Sequence, residues 1–177
     1  DPGAIRAIVE SSGFFHDYEV DVAVELAEER LAKGEQSGYH FRFADVEGRT
    51  IGYTCYGPIA CTAGSYDFYW IAVHQQARGG GIGKALIHET EAAIWAEGGR
   101  AIWVETSSSS QYEPTRRFYL ACGYREAARM ADFYAPGDEY GVKWDDPALA
   151  IPWGDGAAPI VSGKDQKLPR LAEVPPE

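Results

Sequence analysis

The chain has 177 residues, a formal net charge of −11 and a pI near 4.8, a size that suits one domain with a sizeable core. Lys and Arg do not cluster along it, and binding to phosphate backbones needs such clusters, so we expect no nucleic-acid partner. No apolar run approaches the ~18 residues of a membrane-spanning helix, so we expect no membrane insertion.

The cysteines and histidines suggest neither disulfides nor a metal site. Cys55, Cys61 and Cys122 are an odd number without ligand spacing, and the 4 histidines show none either. Reduced thiols are typical of a cytoplasmic protein, and we expect no bound metal. The chain begins Asp1-Pro2 without methionine or a signal-peptide pattern, so we expect it to be processed, trimmed or cut from a longer polypeptide.

The first third predicts two helices and a hairpin. Residues 3–12 read as a short helix, and 17–33 as a longer one that ends at Gly34. Strands are expected over 39–45 and 50–56, around a Glu47-Gly48 turn, and a loop over 57–65. The apolar positions that recur at helical spacing in the longer helix, and should face the core, are Val20, Ala23, Val24, Ala27 and Leu31.

A glycine-rich segment, Arg78 to Lys84, is the most informative part of the chain. It joins an apolar strand predicted over 68–73 to a helix predicted over 82–96. Glycines allow positive φ and close approach of the backbone to a ligand. Because the N–H groups of a first helical turn are free and the helix dipole favours negative charge, this arrangement predicts a phosphate-binding loop.

Two common phosphate loops do not fit these residues. A Walker A loop would need glycine at Arg78 and a hydroxyl residue at Ala85, and a dinucleotide fingerprint would need its third glycine one position after Gly83. The pattern [Gln/Arg]-x-x-Gly-x-[Gly/Ala] fits at Arg78, Gly81 and Gly83.

The next segment supplies a second strand and another helix. A strand is expected over 101–106, parallel to the first, because the 26 residues from 75 to 100 can form a helical crossover. The helix that follows opens at Pro114, carries Phe118-Tyr119 and stops at Gly123-Tyr124. A final antiparallel hairpin is expected over 125–134 and 139–144.

In order and spacing these motifs resemble the GNAT acetyltransferase superfamily over residues 3–145. The resemblance implies an α/β fold, with helices flanking a mixed sheet whose central parallel pair splays apart at acetyl-CoA. That family usually has one further strand before its first helix, whereas almost nothing precedes Gly3 here. The strand was removed, or this sheet starts one strand short.

The resemblance also assigns cosubstrate-binding residues. The backbone of Ile71, Ala72 and Val73 should pair with the pantetheine arm of acetyl-CoA. The family often has an asparagine at the position of Tyr112, whose ring can pack on that arm but lacks the paired donor and acceptor of an amide. The residues expected to hold the pyrophosphate are Arg78, Gly79, Gly80, Gly81, Ile82, Gly83 and Lys84.

Three residues are candidates for proton transfer. Tyr119 occupies the place of the family's tyrosine that protonates the leaving thiolate, although its ring could instead only fill space beside the cosubstrate. The base that takes the proton of the amine is Asp67 on the first strand of the pair, Glu105 at the end of the second, or a water relay.

Residues 146–177 are rich in proline and are expected to be an extended tail after a domain over 1–145. The segment from Trp144 to Glu173 resembles the C-terminus of dTDP-4-dehydrorhamnose 3,5-epimerases. The likeness is either a shared proline-rich pattern or the remnant of a gene fusion.

We expect acetyl-CoA-dependent N-acetylation of a primary amine on a small molecule or peptide, with a homodimer as one allowed assembly. The alternatives are a non-catalytic CoA-binding module and an amino-sugar acetyltransferase of a deoxysugar pathway.

Overall fold

The computed structural model describes residues 1–130 and residue 170. The chain divides into two compact units, Asp1–Glu105 and Thr106–Glu177, which are described separately below. The domain boundary predicted at 145, the tail and most of the final hairpin lie outside the described residues. Among the described helices, none is long and apolar enough to cross a membrane.

The first unit is a four-stranded mixed sheet with three α-helices, as predicted. The strand order is β1-β2-β3-β4, antiparallel in the first two pairs and parallel in the last. Within the described part of the chain, no strand precedes the first helix. The elements are α1 (Pro2–Ser11), α2 (Asp17–Lys33), β1 (His40–Val46), β2 (Arg49–Pro58), β3 (Ser65–Val73), α3 (Ile82–Ala96) and β4 (Ala101–Trp103), with short 3₁₀ turns at Gly34–Ser37 and Gln75–Ala77.

Helices α1 and α2 cover one face of the sheet and enclose the larger core. The buried residues of that core are Ile5, Ile8, Val9, Val20, Ala23, Val24, Ala27, Tyr53, Cys55 and Ala72. Leu31, predicted to join them, is 71% exposed. Because β1 is the edge strand, no further strand of the described sheet covers the last turn of α2, and Leu31 borders a surface groove beside Phe41 and Phe43.

A β-bulge in β3 decides which side chains face which layer. Cys55 of β2 pairs with Trp70 and Tyr56 pairs with Phe68, so Tyr69 has no partner on β2. The extra residue reverses the alternation of side chains along the strand. As a result, Tyr66 packs near α3, whereas Trp70 and Ala72 pack with α1 and α2.

Helix α3 is held on the opposite face by two close contacts with β2. The hydroxyl groups of Thr54 and Thr90 form a buried hydrogen bond of 2.7 Å. A β-carbon at Gly52 would stand 3.0 Å from a methyl group of Leu86, so glycine at this position lets the start of the helix lie close to the sheet. These contacts place the first turn of α3 directly beyond the end of β3.

The bounds of the two parallel strands differ from those that the sequence predicts, and the length over which they pair is short. β3 begins at Ser65 rather than residue 68, because the carbonyl of Gly64 accepts hydrogen bonds from the N–H groups of Arg100 and Ala101 and aligns the two strand starts. β4 ends at Trp103 rather than residue 106. On β3, the pairing with β4 covers only Ser65–Asp67, and beyond Asp67 the two strands are no longer paired.

The second unit contains a short 3₁₀ turn, Ser110–Tyr112, and helix α4, Glu113–Ala121. Pro114 lies in the first turn, and Gly123 follows the C-cap with φ of 94°, as the predicted start and stop require. The strand predicted from Arg125 is wrong over 125–130, which carries no regular structure. That segment is exposed and lacks the alternation of apolar and polar residues that a half-buried strand needs.

Candidate functional site

The glycine-rich loop is an exposed, open cradle at the start of α3. Gly81 is the N-cap of the helix and has φ of 80°, and Gly79 has φ of 82°. At neither position would a β-carbon meet another atom within 4 Å. Since L side chains rarely adopt this backbone conformation, both glycines shape the loop through φ, and the open space above them leaves room for a ligand.

The electrostatics of this loop suit an anion. The first backbone bond of the helix runs from the N–H of Ala85 to the carbonyl of Gly81, so the N–H groups before Ala85 have no acceptor within the helix. The first turn carries Lys84 and no acidic residue. The Nε of Arg78 donates to the carbonyl of Val73 at 3.2 Å and ties the base of the loop to the strand. These groups fit a pyrophosphate.

The edge of β3 that leads into this loop is open among the described residues. Because β4 pairs only as far as Asp67, the stretch from Phe68 to Val73 has a strand neighbour on one side only. Ile71, Ala72 and Val73, predicted to bind pantetheine, lie in this stretch, with Ala72 buried and the other two half-buried. An extended amide chain can pair with such an edge as an added strand does.

At the other end of β3, Asp67 lies in a row of three residues on one sheet face. It is directly opposite Gly57 of β2 and directly opposite Trp103 of β4, and opposed residues direct their side chains to the same face. Glu105 follows two residues after Trp103. The structure therefore brings the two predicted base candidates, Asp67 and Glu105, to the same end of the sheet.

The two carboxyl groups influence each other. Partial burial raises the pKa of Asp67 above its ordinary value. The pKa of Glu105 is raised first by partial burial and then by the negative charge of Asp67. Neither carboxylate forms an ion pair within the described part of the chain. A raised pKa suits a proton acceptor, because a protonated carboxyl then forms more readily.

Two tyrosines that the sequence did not indicate lie at this end of the sheet: Tyr69 is close enough to Asp67 to be affected by its charge, and Tyr39 contacts Tyr69. The rings of Tyr39 and Tyr69 meet edge to face, with centroids 5.5 Å apart. The Tyr69 ring fits because position 57 is glycine: a β-carbon there would overlap the carbonyl oxygen of Gly38 and lie 3.1 Å from the Tyr69 ring. Burial and then the charge of Asp67 raise the pKa of Tyr69. Tyr69 is the bulge residue, and no pattern in the sequence marks that position.

In the second unit, Tyr119 lies on α4 with its ring 5.6 Å from that of Phe118 and 5.7 Å from that of Tyr124. Tyr112 is the N-cap of the same helix. Arg116 donates from one guanidinium nitrogen to the carbonyls of Ser107 and Ser109, each at 2.8 Å, and so secures the serine-rich turn before the helix. The catalytic role of Tyr119 and the binding role of Tyr112 remain predictions.

Elsewhere in the described residues, the titratable side chains have other surroundings. In residues 1–130 and 170, no three His, Cys, Asp or Glu side chains gather as potential ligands. Cys55 is buried, and burial raises the pKa of its thiol to about 12. His74 caps the 3₁₀ turn after β3: its Nδ1 accepts a hydrogen bond from the N–H of Gln76 at 3.3 Å.

Comparison with protein families matches residues 37–126 to the acetyltransferase (GNAT) domain. A crystal structure from Desulfovibrio desulfuricans, described as an acetyltransferase of the GNAT family, is 44% identical, with a TM-score of 0.76 over 77% of this chain and 86% of that one. The aminoglycoside N-acetyltransferase AAC(6')-Iy, in complex with CoA, is 19% identical, with a TM-score of 0.59 over 77% of this chain and 88% of that one. At this low identity, the second likeness concerns the fold alone.

A second family, dTDP-4-dehydrorhamnose 3,5-epimerase, matches residues 125–173. The epimerase of Streptomyces griseus is 49% identical over 41 residues, 23% of this chain and 20% of the epimerase. The epimerase of Pseudomonas aeruginosa is 26% identical over 150 residues, 82% of this chain and 70% of the epimerase. The chain thus spans a fifth of the first of these curated relatives, and the predicted C-terminal resemblance is confirmed.

Proposed function

This chain belongs to the GNAT acetyltransferase family, and we propose that it transfers the acetyl group of acetyl-CoA to a primary amine of a small molecule or peptide. The observation that carries the proposal is the pairing of an open anion cradle, Arg78 to Lys84, with the open edge of β3 that leads into it. A molecule that combines a pyrophosphate with an extended amide arm matches both features.

The chemistry requires two proton transfers. The amine must lose a proton to attack the thioester carbonyl, since a free alkyl ammonium has a pKa of ~10.4. A C–N bond forms as the C–S bond breaks, and the leaving thiolate takes up a proton to give CoA and the N-acetyl product. In the proposal, a carboxylate or a water relay accepts the first proton and Tyr119 donates the second.

Asp67 and Glu105 are both retained as the base. Each has a raised pKa, and each lies at the end of the parallel pair where the strands begin to separate. Asp67 is the more enclosed of the two and stands in the strand itself, whereas Glu105 is exposed just after β4. Asp67→Asn and Glu105→Gln, made separately, distinguish the two roles.

Two measurements test the proposal. Acetyl-CoA should raise the melting temperature, because a ligand that binds only the native state stabilises it. Incubation of the protein with acetyl-CoA and a panel of primary amines should then release free thiol and yield a product heavier by one acetyl group. A raised melting temperature without thiol release for any amine would favour a non-catalytic CoA-binding module.

The epimerase-like segment supports one narrower candidate. The match over residues 125–173 motivates an amino sugar of a deoxysugar pathway as the acceptor. Nucleotide-linked amino sugars should therefore be included in the panel beside simple aliphatic amines. A preference for the simple amines over every amino sugar would reject this candidate and leave the general proposal intact.

A further inference from the structure

We propose that the acceptor carries a second positive charge, which is bound by a cluster of three aromatic rings and two carboxylates at the Asp67 end of the sheet. This inference rests on the proposed function and names the class of acceptor, a diamine or polyamine. The aromatic–carboxylate cluster comprises Tyr39, Asp67, Tyr69, Trp103 and Glu105, all within the first unit.

The sheet register brings the cluster together. Asp67 lies between Gly57 and Trp103 in one cross-strand row, and the ring of Tyr69 lies over Gly57 on the face that Asp67 shares. The ring of Tyr39 meets that of Tyr69. The absence of a side chain at Gly57 leaves room for the Tyr69 ring on the face that Asp67 shares.

The rings are available for binding rather than buried in the core. Tyr69 is 40% exposed, although the other residues of β3 are buried or half-buried. Trp103, at the end of β4, is 50% exposed. Exposed aromatic rings beside carboxylates form a site that attracts ammonium groups, because the face of each ring is electron-rich.

Within the described residues, no basic side chain balances the charges of the cluster. Neither Asp67 nor Glu105 has a Lys or Arg partner in the described residues, and each interacts unfavourably with the other. A bound cation relieves this repulsion. The net charge of −11 adds a general attraction for cations.

An acceptor with two amines uses both carboxylates at once. The amine that reacts must lose its proton, whereas the second amine stays protonated and is held by the rings and the remaining carboxylate. This division holds whichever of Asp67 and Glu105 acts as the base, and it predicts that a monoamine of equal length binds less well.

The test compares 1,4-diaminobutane with 1-aminobutane at saturating acetyl-CoA. We expect kcat/KM to favour the diamine by about tenfold or more, the scale of one desolvated cation–π contact. Tyr69→Leu and Trp103→Leu should each reduce this ratio several-fold and leave the KM of acetyl-CoA within about twofold. Added salt should also lower the ratio, because it screens the attraction between charges.

Trp95→Leu is the matched control, since Trp95 is a tryptophan 48% exposed on α3, outside the cluster. Equal kcat/KM for the two amines, or a ratio that Trp95→Leu changes as much as Trp103→Leu does, would overturn the proposal. If neither amine is acetylated, the proposed function has failed for these amines. Calorimetry of diaminobutane with the CoA-saturated protein then decides: binding weakened by Tyr69→Leu supports the cation site, and no binding overturns it.

Discussion

The two ends of β3 form their sites in different ways. At the C-terminal end, the strand leads into Gly79 and Gly81, and the groups proposed to face acetyl-CoA are backbone N–H groups of a helix start. At the N-terminal end, the strand presents Asp67, and the groups proposed to face the acceptor are side chains of β3 and β4 together with Tyr39 before β1 and Glu105 after β4.

Because the two ends are built differently, they should be sensitive to different substitutions. A backbone site depends on φ angles and on empty space, so a single added side chain can destroy it. A side-chain site depends on register, because a shift of one residue would direct Asp67 to the opposite face. Substitutions at the two ends should therefore differ in what they change.

The largest effect is expected at the loop. Gly81→Asp places a carboxylate in the open cradle, so it should abolish the rise in melting temperature that acetyl-CoA produces. Gly48→Asp is the control, because Gly48 also has a positive φ, 77°, and open space but lies in the β1–β2 turn. Equal CoA affinity of the Gly81 variant and the wild type, measured by calorimetry, would mean that the pyrophosphate binds elsewhere.

Removal of one side-chain hydroxyl should slow the reaction without preventing binding. Tyr119→Phe keeps the ring contacts with Phe118 and Tyr124 and should lower kcat by ~10²-fold or more, as expected for a lost general acid. The KM for acetyl-CoA should change little, because the loss is felt in the transition state. Near-normal kcat would reduce Tyr119 to a packing role.

The pH dependence of the rate should identify the base. Because the pKa values of Asp67 and Glu105 are both raised, the rate should increase with pH over a range above that of an ordinary carboxylate. Asp67→Asn and Glu105→Gln should be measured separately across this range, and the variant that loses the rise identifies the base. Retention of the rise in both variants would assign the proton to a water relay.

A smaller effect, on stability, contrasts two glycines. Gly57→Ala should destabilise the fold by about 1–3 kcal/mol, the range for overpacking, because its β-carbon would overlap the carbonyl of Gly38. Gly79→Ala meets no atom and should cost about 1–2 kcal/mol from its positive φ alone. Thermal unfolding compares them, and a Gly57 variant as stable as wild type would show that the loop at Gly38 moves freely.

Burial of Asp67 also predicts a pH-dependent stability. A raised carboxylate pKa means that the ionised form is disfavoured in the folded state, so this cost is present above the pKa and disappears as pH falls below it. Asp67→Asn should therefore raise the melting temperature slightly at pH 7 and leave it unchanged near pH 3. A lower melting temperature at pH 7 would mean that the carboxylate has a stabilising partner.

Local patterns were sufficient for most of the helices and strands of the first unit and for the shape of the glycine-rich loop. The helix over 17–33, the Glu47-Gly48 turn and the strand–glycine–helix order are each set by neighbours in sequence, through helical spacing and backbone freedom. They were insufficient where a partner decides the outcome. Leu31 continues the apolar spacing of α2 but is exposed, because the sheet does not extend beneath it. The length of β4 depends on how far β3 pairs with it, which is only to Asp67.

The family, the strand–glycine–helix order of the loop and the choice of Asp67 and Glu105 as candidate bases could all be predicted from the sequence, because each follows from residues close together in the chain. The tertiary structure was needed to bring Tyr69 and Trp103 to the face of Asp67 and Tyr39 into contact with Tyr69. This arrangement depends on the bulge at Tyr69, on the register of β2, β3 and β4 and on the empty space at Gly57. The bulge and the register are set by cross-strand pairing, which is a property of distant segments rather than of any one of them.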